Sequence, residues 1–406
     1  MPHYQLVSSV HALPPAQKYS SSFAWVHLLF LFGLICASLQ FVQIGPAKPI
    51  QIWLICAISA LAFSKKISVS LSEAYAFAIF FLVSSAATFF QDFGRIKETD
   101  QLVKFLFIYP GFYVVGKSLG KIYYNKNLPY GFLFLFIFLG IQFVIQQVQP
   151  PIIYQTLSFG QGALHGTFRE RNWISVFFFG FSYILWIKNK STSNTALFIA
   201  LTISVTLLSG SKSMMVAAGI AFLAHAKLPV WARSAVIIVG IMLYIYLFSD
   251  SLSGDKLEVR LKTERGLAYE QSILLISDNI LGYGFGFVEY HFSNISTIIR
   301  GLGLGTNSVF SSPIDLMIIA GFTGLAFWMV FFLGIGLGST KWVAPVAAWS
   351  VINPLHQSET VYLLLGILTA LSLAERNQAK RAKAKKMSLR RPIAPISGQT
   401  KNDNHT

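Results

Sequence analysis

The residues of this 406-residue chain best suited to chemistry are arginines that stand outside its apolar runs. Arg169 and Arg171 sit in the string GTFRERN, directly ahead of an apolar run. Arg260, Arg265 and Arg300 sit in a long polar, glycine-rich interval that also holds Glu258, Glu264, Glu270, Asp278 and Glu289. A guanidinium presents a planar fork of donors that fits phosphate or carboxylate. Two readings follow: these arginines bind an anionic ligand, or they pair with the carboxylates beside them. That two separated segments both carry arginine favours the ligand. Candidate proton-transfer groups are Glu270, Glu289, His291, His165 and Asp315. Such a base must come within hydrogen-bond reach of a hydroxyl with its pKa brought toward neutrality, and the sequence does not rank them. Asp315 lies at the edge of an apolar run, where it is either a functional ionisable group or a charge that complements a helix N-terminus. Two glycine clusters, Gly282-Tyr-Gly284-Phe-Gly286 and Gly301 to Gly305, the latter leading into Thr306, Asn307 and Ser308, allow tight turns and close approach of backbone to a ligand. No Gly-Lys-Ser/Thr follows either cluster, which argues against a nucleotide-phosphate loop.

The elements that must position these residues are apolar. Hydrophobic residues make up 54% of the chain and charged ones 12%, too little polar surface to coat a soluble globule. About 20 apolar residues cross a bilayer core. Runs at 23–42, 50–63, 74–90, 101–116, 130–146, 173–186, 195–208, 213–224, 230–248, 313–333, 342–352 and 361–373 give twelve candidate spans. The run 342–352 is short and contains Pro345, so it is either a span or re-entrant. Lys104, within an apolar stretch, is expected to snorkel to the nearer interface. Cys36 and Cys56 lie inside apolar runs and read as small hydrophobes rather than a disulfide or a metal site.

Lysine and arginine in short loops mark the cytoplasmic side. Counting back from the basic tail puts Lys341, Lys227 with Arg233, Lys188 with Lys190, Lys117 with Lys121 and Lys126, and Lys65 with Lys66 on that side, with Glu73 the single acidic residue among these loops. The net charge of +16 is thereby explained as orientation signal, and nucleic-acid binding is the weaker reading. The resulting plan has a cytoplasmic N-terminus over 1–22, spans 1–9 within 23–248 and a large outer loop over 249–312. Spans 10–12 follow within 313–373, and a basic cytoplasmic tail over 374–406. The segment 265–279 in the loop has the apolar pattern of a helix lying on the membrane surface or under a lid.

The order GTFRERNWIS opening a span, a short turn Ser209 to Lys212, Arg265 and Tyr269 upstream of the run from Asp278 to Gly284, and Asn307-Ser308 before a span containing Gly321 and Gly324 resembles the O-antigen ligase and O-antigen polymerase superfamily. The resemblance runs from about His165 to Leu333. It implies an all-α integral membrane protein of about 12 spans with a GT-C-like architecture, embedded in the bacterial inner membrane. It further implies transfer of a glycan from an undecaprenyl-diphosphate carrier at the periplasmic face, without metal, nucleotide or other cofactor. Arg171 or Arg169, together with Arg265, match the family's diphosphate-binding arginines. The ligases carry a histidine immediately before the asparagine that Asn307 matches, and this chain has Thr306 there, which favours a polymerase. Partners implied are the undecaprenyl-diphosphate-linked oligosaccharide, a chain-length regulator and a flippase.

A ligase acting on lipid A-core is the second reading, and a lipid-linked oligosaccharide flippase or transporter the third. A transporter should show related halves and polar or broken spans near the midplane; no internal repeat is visible, and the polar residues gather outside the apolar runs. The topology is tested by reporter fusions. Fusions at Lys66, Lys121, Lys190 and Ala384 are expected to report cytoplasm, and fusions at Gln161 and Gly254 the opposite side. A cytoplasmic signal at Gly254 would overturn the plan.

Overall fold

The computed structural model describes the chain from Ser21 to Leu389 apart from residues 149–162, 169–170, 295–308, most of 226–264 and the single positions 41, 43, 46, 125, 127 and 129. The chain is all-α. Its described helices are α1 (Ser21–Ser38), α2 (Pro49–Phe63), α3 (Leu71–Phe90), α4 (Glu98–Tyr123), α5 (Gly131–Val148), α6 (Arg171–Lys188), α7 (Thr192–Ser209), α8 (Lys212–His225), α9 (Arg265–Asp278), α10 (Phe287–Asn294), α11 (Ser312–Phe331), α12 (Thr340–Val351) and α13 (Glu359–Leu389). Among the described residues there is no strand, only an isolated bridge between Ile44 and Ala47. Five helices, α3, α4, α5, α7 and α11, are long and apolar enough to cross a membrane; α2 and α8 are apolar but shorter. Eleven of the twelve apolar runs are thus helical, and most of the ninth, 230–248, lies outside the described residues. The helix α12, with Pro345 inside it, has 12 residues and covers about 18 Å at 1.5 Å per residue, short of a bilayer core.

Local chemistry sets the helix boundaries. Ser70 and Glu73 form a capping box at α3, with the Ser70 N–H donating to Glu73 Oε2 at 3.1 Å. Gly210, at φ +65°, ends α7 and donates its N–H to the Thr206 carbonyl. Inside α4 the chain widens to a π turn over Lys104–Ile108, just where Pro110 has no N–H to return to Leu106. Lys104 reaches along α4 to pair with Asp100. The main helix contact is α4 on α13. Gly116 and Gly120 on α4 face Leu363 and Ile367, and Gly366 on α13 faces Tyr113, so closely that a Cβ at Gly116 would lie 2.1 Å from the Leu363 carbonyl oxygen. This is the small-residue contact by which helices associate where lipid supplies no hydrophobic drive. Cys36 is buried as expected, whereas Cys56 lies exposed on α2.

Hydrogen bonds between loops sort the two ends of the bundle. At one end Gln51 bonds Glu359, Gln91 bonds Asn279, the Leu164 N–H reaches Leu208, and Asn353 joins Ser213 to Ser312. At the other end Ser68 bonds Ser118, Lys188 donates to the carbonyls of Tyr123 and Lys126, Lys190 meets His225, and Tyr124 bonds Gln378. The first set joins only segments that the basic-loop count places outside, the second only segments that it places inside. The basic tail is not a loose end at its start: α13 runs on to Leu389, buried from Thr360 to Ser372 and exposed from Glu375 to Ala384.

One helix is broken. Ala320 (φ −136°, ψ 21°) and Gly321 (φ 57°, ψ −139°) interrupt α11, and the glycine segment 282–286 fills the gap. Tyr283 and Gly284 donate their N–H groups to the carbonyls of Ile318 and Ile319 at 2.8 and 2.9 Å. Gly282 presses on the Gly321 amide, and at Gly284 (φ +85°) a Cβ would lie 2.6 Å from the Thr88 amide of α3. The close approach these glycines permit is therefore to the chain's own backbone. Arg95 locks the arrangement by donating to the carbonyls of Ala87, Gln91, Tyr283 and Phe285. Gly284→Ala combines a left-handed φ with overpacking and is expected to cost on the order of 2–4 kcal/mol. The measurement is thermal unfolding of the purified protein; a melting temperature within a degree of wild type would contradict the clamp.

Candidate functional site

The site is organised around the four-residue turn Ser209 to Lys212, between α7 and α8. On one side stands Arg171, the first residue of α6, exposed, with its guanidinium 3.8 Å from where a Gly210 Cβ would be. Ser175, one helical turn on, donates to the Arg171 carbonyl and shares a 2.9 Å hydrogen bond with Ser209. The α6 helix therefore packs its opening turn against the turn. Among the described residues the Arg171 guanidinium has no carboxylate partner, unlike Lys97, which is paired with Glu289 at 2.8 Å. The N-termini of α6 and α8 both open here, and helix N-termini favour anions through their unpaired N–H groups. Ser211, 2% exposed, has a hydroxyl with no hydrogen-bond partner among the described residues.

The segment before Arg171 is held by two glutamines one turn apart on α5. Gln142 Oε1 accepts from the Thr167 N–H and hydroxyl at 2.7 and 2.9 Å. Gln146 Oε1 accepts from the N–H groups of His165 and Gly166 at 2.7 and 3.0 Å, and its amide donates to the Ala163 carbonyl. In a bundle with little water, these acceptors fix the Gly-Thr-Phe turn that delivers the chain to α6. His165 is buried in this turn, and burial lowers its pKa.

The other side of the turn is a buried polar network. Asn353 donates to Ser213 Oγ at 3.0 Å, and its carbonyl accepts from Ser312 Oγ, which in turn accepts the His356 N–H. Asp315, fully buried in the first turn of α11, accepts the Val309 N–H at 2.8 Å and faces His356 Nδ1 at 3.8 Å. His356 sits in the short turn Leu355–Gln357, its Nδ1 without a hydrogen-bond partner among the described residues, and burial pushes the imidazole down to about 3. The Ser311 hydroxyl is likewise buried and has no hydrogen-bond partner among the described residues.

The remaining candidates fall elsewhere. Glu270 is exposed on α9. His291 is half-buried on α10, its Nε2 buried without a partner and its pKa lowered by burial, and Glu289 on the same helix is held by Lys97. Gly282 and Gly284 belong to the α11 clamp described above. Arg265 opens α9, but its side chain, together with Arg169, Arg260, Arg300, Thr306 and Asn307, lies outside the described residues. The structure thus brings together Arg171, the Ser209 turn and Asp315. It adds Gln142, Gln146, Asn353 and His356, which sequence reasoning passed over, and the structural arginine Arg95. The signal for Arg95 was present: it is another arginine in a segment expected outside. Gln142 and Gln146 were visible as two amides at the end of an apolar run.

Comparison with known proteins returns no match, whether to family models, curated proteins or solved structures. The fold itself supports the class, an all-α membrane protein. Gln142→Leu would strip the acceptor from a buried N–H and a buried hydroxyl, an expected loss of about 1–3 kcal/mol. Hydrogen exchange at 163–168 should rise selectively in that variant; unchanged protection there would refute the role given to Gln142.

Proposed function

We propose that this protein is a polymerase that joins undecaprenyl-diphosphate-linked oligosaccharide repeat units at the periplasmic face, building a surface polysaccharide. In this reading about twelve spans form a GT-C-like bundle in the bacterial inner membrane, with both termini in the cytoplasm. The observation that carries it is Arg171: an exposed arginine at a helix N-terminus which, among the described residues, has no carboxylate partner and stands beside a serine hydroxyl with no hydrogen-bond partner. The end-to-end sorting of loop hydrogen bonds supports the orientation that puts this site outside.

The chemistry follows from the ligand. A lipid diphosphate is a good leaving group, so the protein must hold the donor, neutralise charge on the departing oxygens and set an acceptor hydroxyl in line. Arg171 and the two helix N-termini serve the first two tasks, with Arg265 as the second arginine. Thr306, where the ligases have histidine, favours polymerase over ligase.

The test is a deletion strain whose lipid-linked glycans are extracted and sized. Single repeat units flipped outward are expected, either lipid-linked or attached singly to their acceptor. Long chains stranded on undecaprenyl diphosphate would instead identify a ligase, and repeat units confined to the cytoplasmic leaflet a flippase. In complementation, Arg171→Ala and Arg265→Ala should each abolish product at normal membrane abundance. Arg171→Lys should rescue poorly, because an ammonium lacks the bidentate fork. Full activity of both alanine variants would remove the arginine–diphosphate reading.

A further inference from the structure

Between α3 and α4 the bundle has a lateral groove with a volume of about 390 Å³, within the range of small-molecule sites. Its walls are Ala74, Ala78 and Leu82 on α3 and Leu106, Pro110 and Val114 on α4. The two helices are consecutive in sequence, yet α3 packs chiefly on α11 and α4 on α13, so each wall is held from behind. They meet each other toward the groove's two ends. At one, Glu73 accepts from the Tyr113 hydroxyl at 2.9 Å and from Lys117; at the other, the rings of Phe80 and Phe105 lie 4.9 Å apart. Alanines one turn apart on α3 leave the space open, and the π turn ahead of Pro110 widens α4 beside it. Ala74, Ala78, Leu82 and Leu106 are exposed, so the groove opens on the side that a bilayer would cover. The α3 wall from residue 73 to residue 82 rises about 14 Å at 1.5 Å per residue, close to half of a hydrocarbon core about 30 Å thick. The groove therefore has the depth of one leaflet.

The two mouths differ in charge. At the Phe105 end, Lys104 is paired with Asp100. At the Glu73 end, the carboxylate is 3% exposed and already claimed by Lys117 and Tyr113, while Lys65, Lys66 and Lys121 have no carboxylate partner among the described residues. Lys65 and Lys66 stand just before Val69, a lining residue, in the connection whose Ser68 N–H bonds to Ser118 of α4. Lys121 is exposed, eleven positions after Pro110 and seven after Val114, spacings that put it on the groove face of α4. Lys65 adds an independent sign. The N–H groups of Lys65 and Lys66 close α2 by bonding to the carbonyls of Ala62 and Leu61, with Lys65 at φ 52°. That left-handed position favours glycine, and here it carries an exposed lysine. An apolar groove between membrane helices with a cationic mouth at one interface complements a lipid with an anionic headgroup.

We propose that this groove binds one anionic glycerophospholipid, with an acyl chain between α3 and α4 and the phosphate at Lys65, Lys66 and Lys121. The chain takes up the space that two consecutive helices leave between them, and the headgroup neutralises the three lysines. The site belongs to the end of the bundle where Ser68 bonds Ser118, opposite the end that holds Arg171. It is therefore separate from the diphosphate reading and stands or falls without it. A zwitterionic phospholipid supplies the same hydrocarbon without net charge, which makes it the discriminating comparison.

The experiment is native mass spectrometry of the purified full-length protein in detergent, titrated with phosphatidylglycerol and with phosphatidylcholine of the same acyl chains. One phosphatidylglycerol is expected to bind about tenfold or more tightly than phosphatidylcholine. Replacing Lys66 and Lys121 together by glutamine should weaken that binding by about tenfold or more, since each lysine near an anionic headgroup is worth about fivefold. Ala78→Phe puts a ring into the groove from an exposed position and should abolish the tight copy at an unchanged melting temperature. Lys380→Gln with Lys383→Gln removes the same charge from the exposed tail of α13 and should leave binding within about twofold of wild type. Equal affinity for the two lipids would mean that the groove holds bulk lipid only, and overturns the proposal. Unchanged binding in the Lys66 and Lys121 variant or in a folded Ala78→Phe overturns it too, as does an equal loss in the tail variant. If Ala78→Phe fails to fold, the two lysine variants decide between them.

Discussion

A backbone amide inside a bilayer has no water to fall back on, so each break in a membrane helix must be repaired by the chain itself. The break in α11 at Ala320 and Gly321 is the place where this constraint shapes the molecule most. The carbonyls of Ile318 and Ile319 are taken up by the amides of Tyr283 and Gly284, and Arg95 then satisfies the carbonyls of Tyr283 and Phe285. Removing Arg95 would leave several buried acceptors unpaired, at about 1–3 kcal/mol for each. A segment of a long connecting loop is thus made part of the bundle. The opening turn of α11, with Asp315, is held on the same helix just ahead of the break.

That constraint also explains a division of labour among the cations at this end. Arg95 is spent on backbone carbonyls, Lys97 on Glu289, and Lys48 lies near Glu359. Arg171 differs in kind. It is exposed, begins a helix, and stands against a turn whose serines are bonded to α6 and to the loop before α13. Among the described residues no carboxylate pairs with it, and the proposed diphosphate site rests on guanidinium and helix N-termini acting on an anion from the same side.

The helices were legible in the sequence because their signal is local and repeated: runs of apolar residues, Ser70 with Glu73 as a cap, Gly210 as a stop. The grouping of the loops into two ends could also be read, since basic residues gather by side and the hydrogen bonds group the same segments. The site was legible only in part. Arg171 and Asp315 announce themselves by type and place, but Arg95 acts on residues some 190 positions away, a relation that no local pattern records. The glycine cluster 282–286 was recognisable as a place of close approach, yet whether ligand or backbone fills that space depends on the broken α11. Gln142 and Gln146 looked like ordinary interfacial amides until the turn they hold was seen. His356 lies in a short polar stretch beyond the region of family resemblance, and only its burial beside Asp315 distinguishes it.

The central claim, that Arg171 and its turn form an anion site for a polyprenyl diphosphate, is tested most directly by binding. Purified protein in detergent would be titrated with undecaprenyl diphosphate and with the monophosphate, for the wild type and for Arg171→Ala. The account expects saturable binding that prefers the diphosphate and weakens at least tenfold in Arg171→Ala, about 1.4 kcal/mol. Equal affinity of the two proteins for the diphosphate would contradict it.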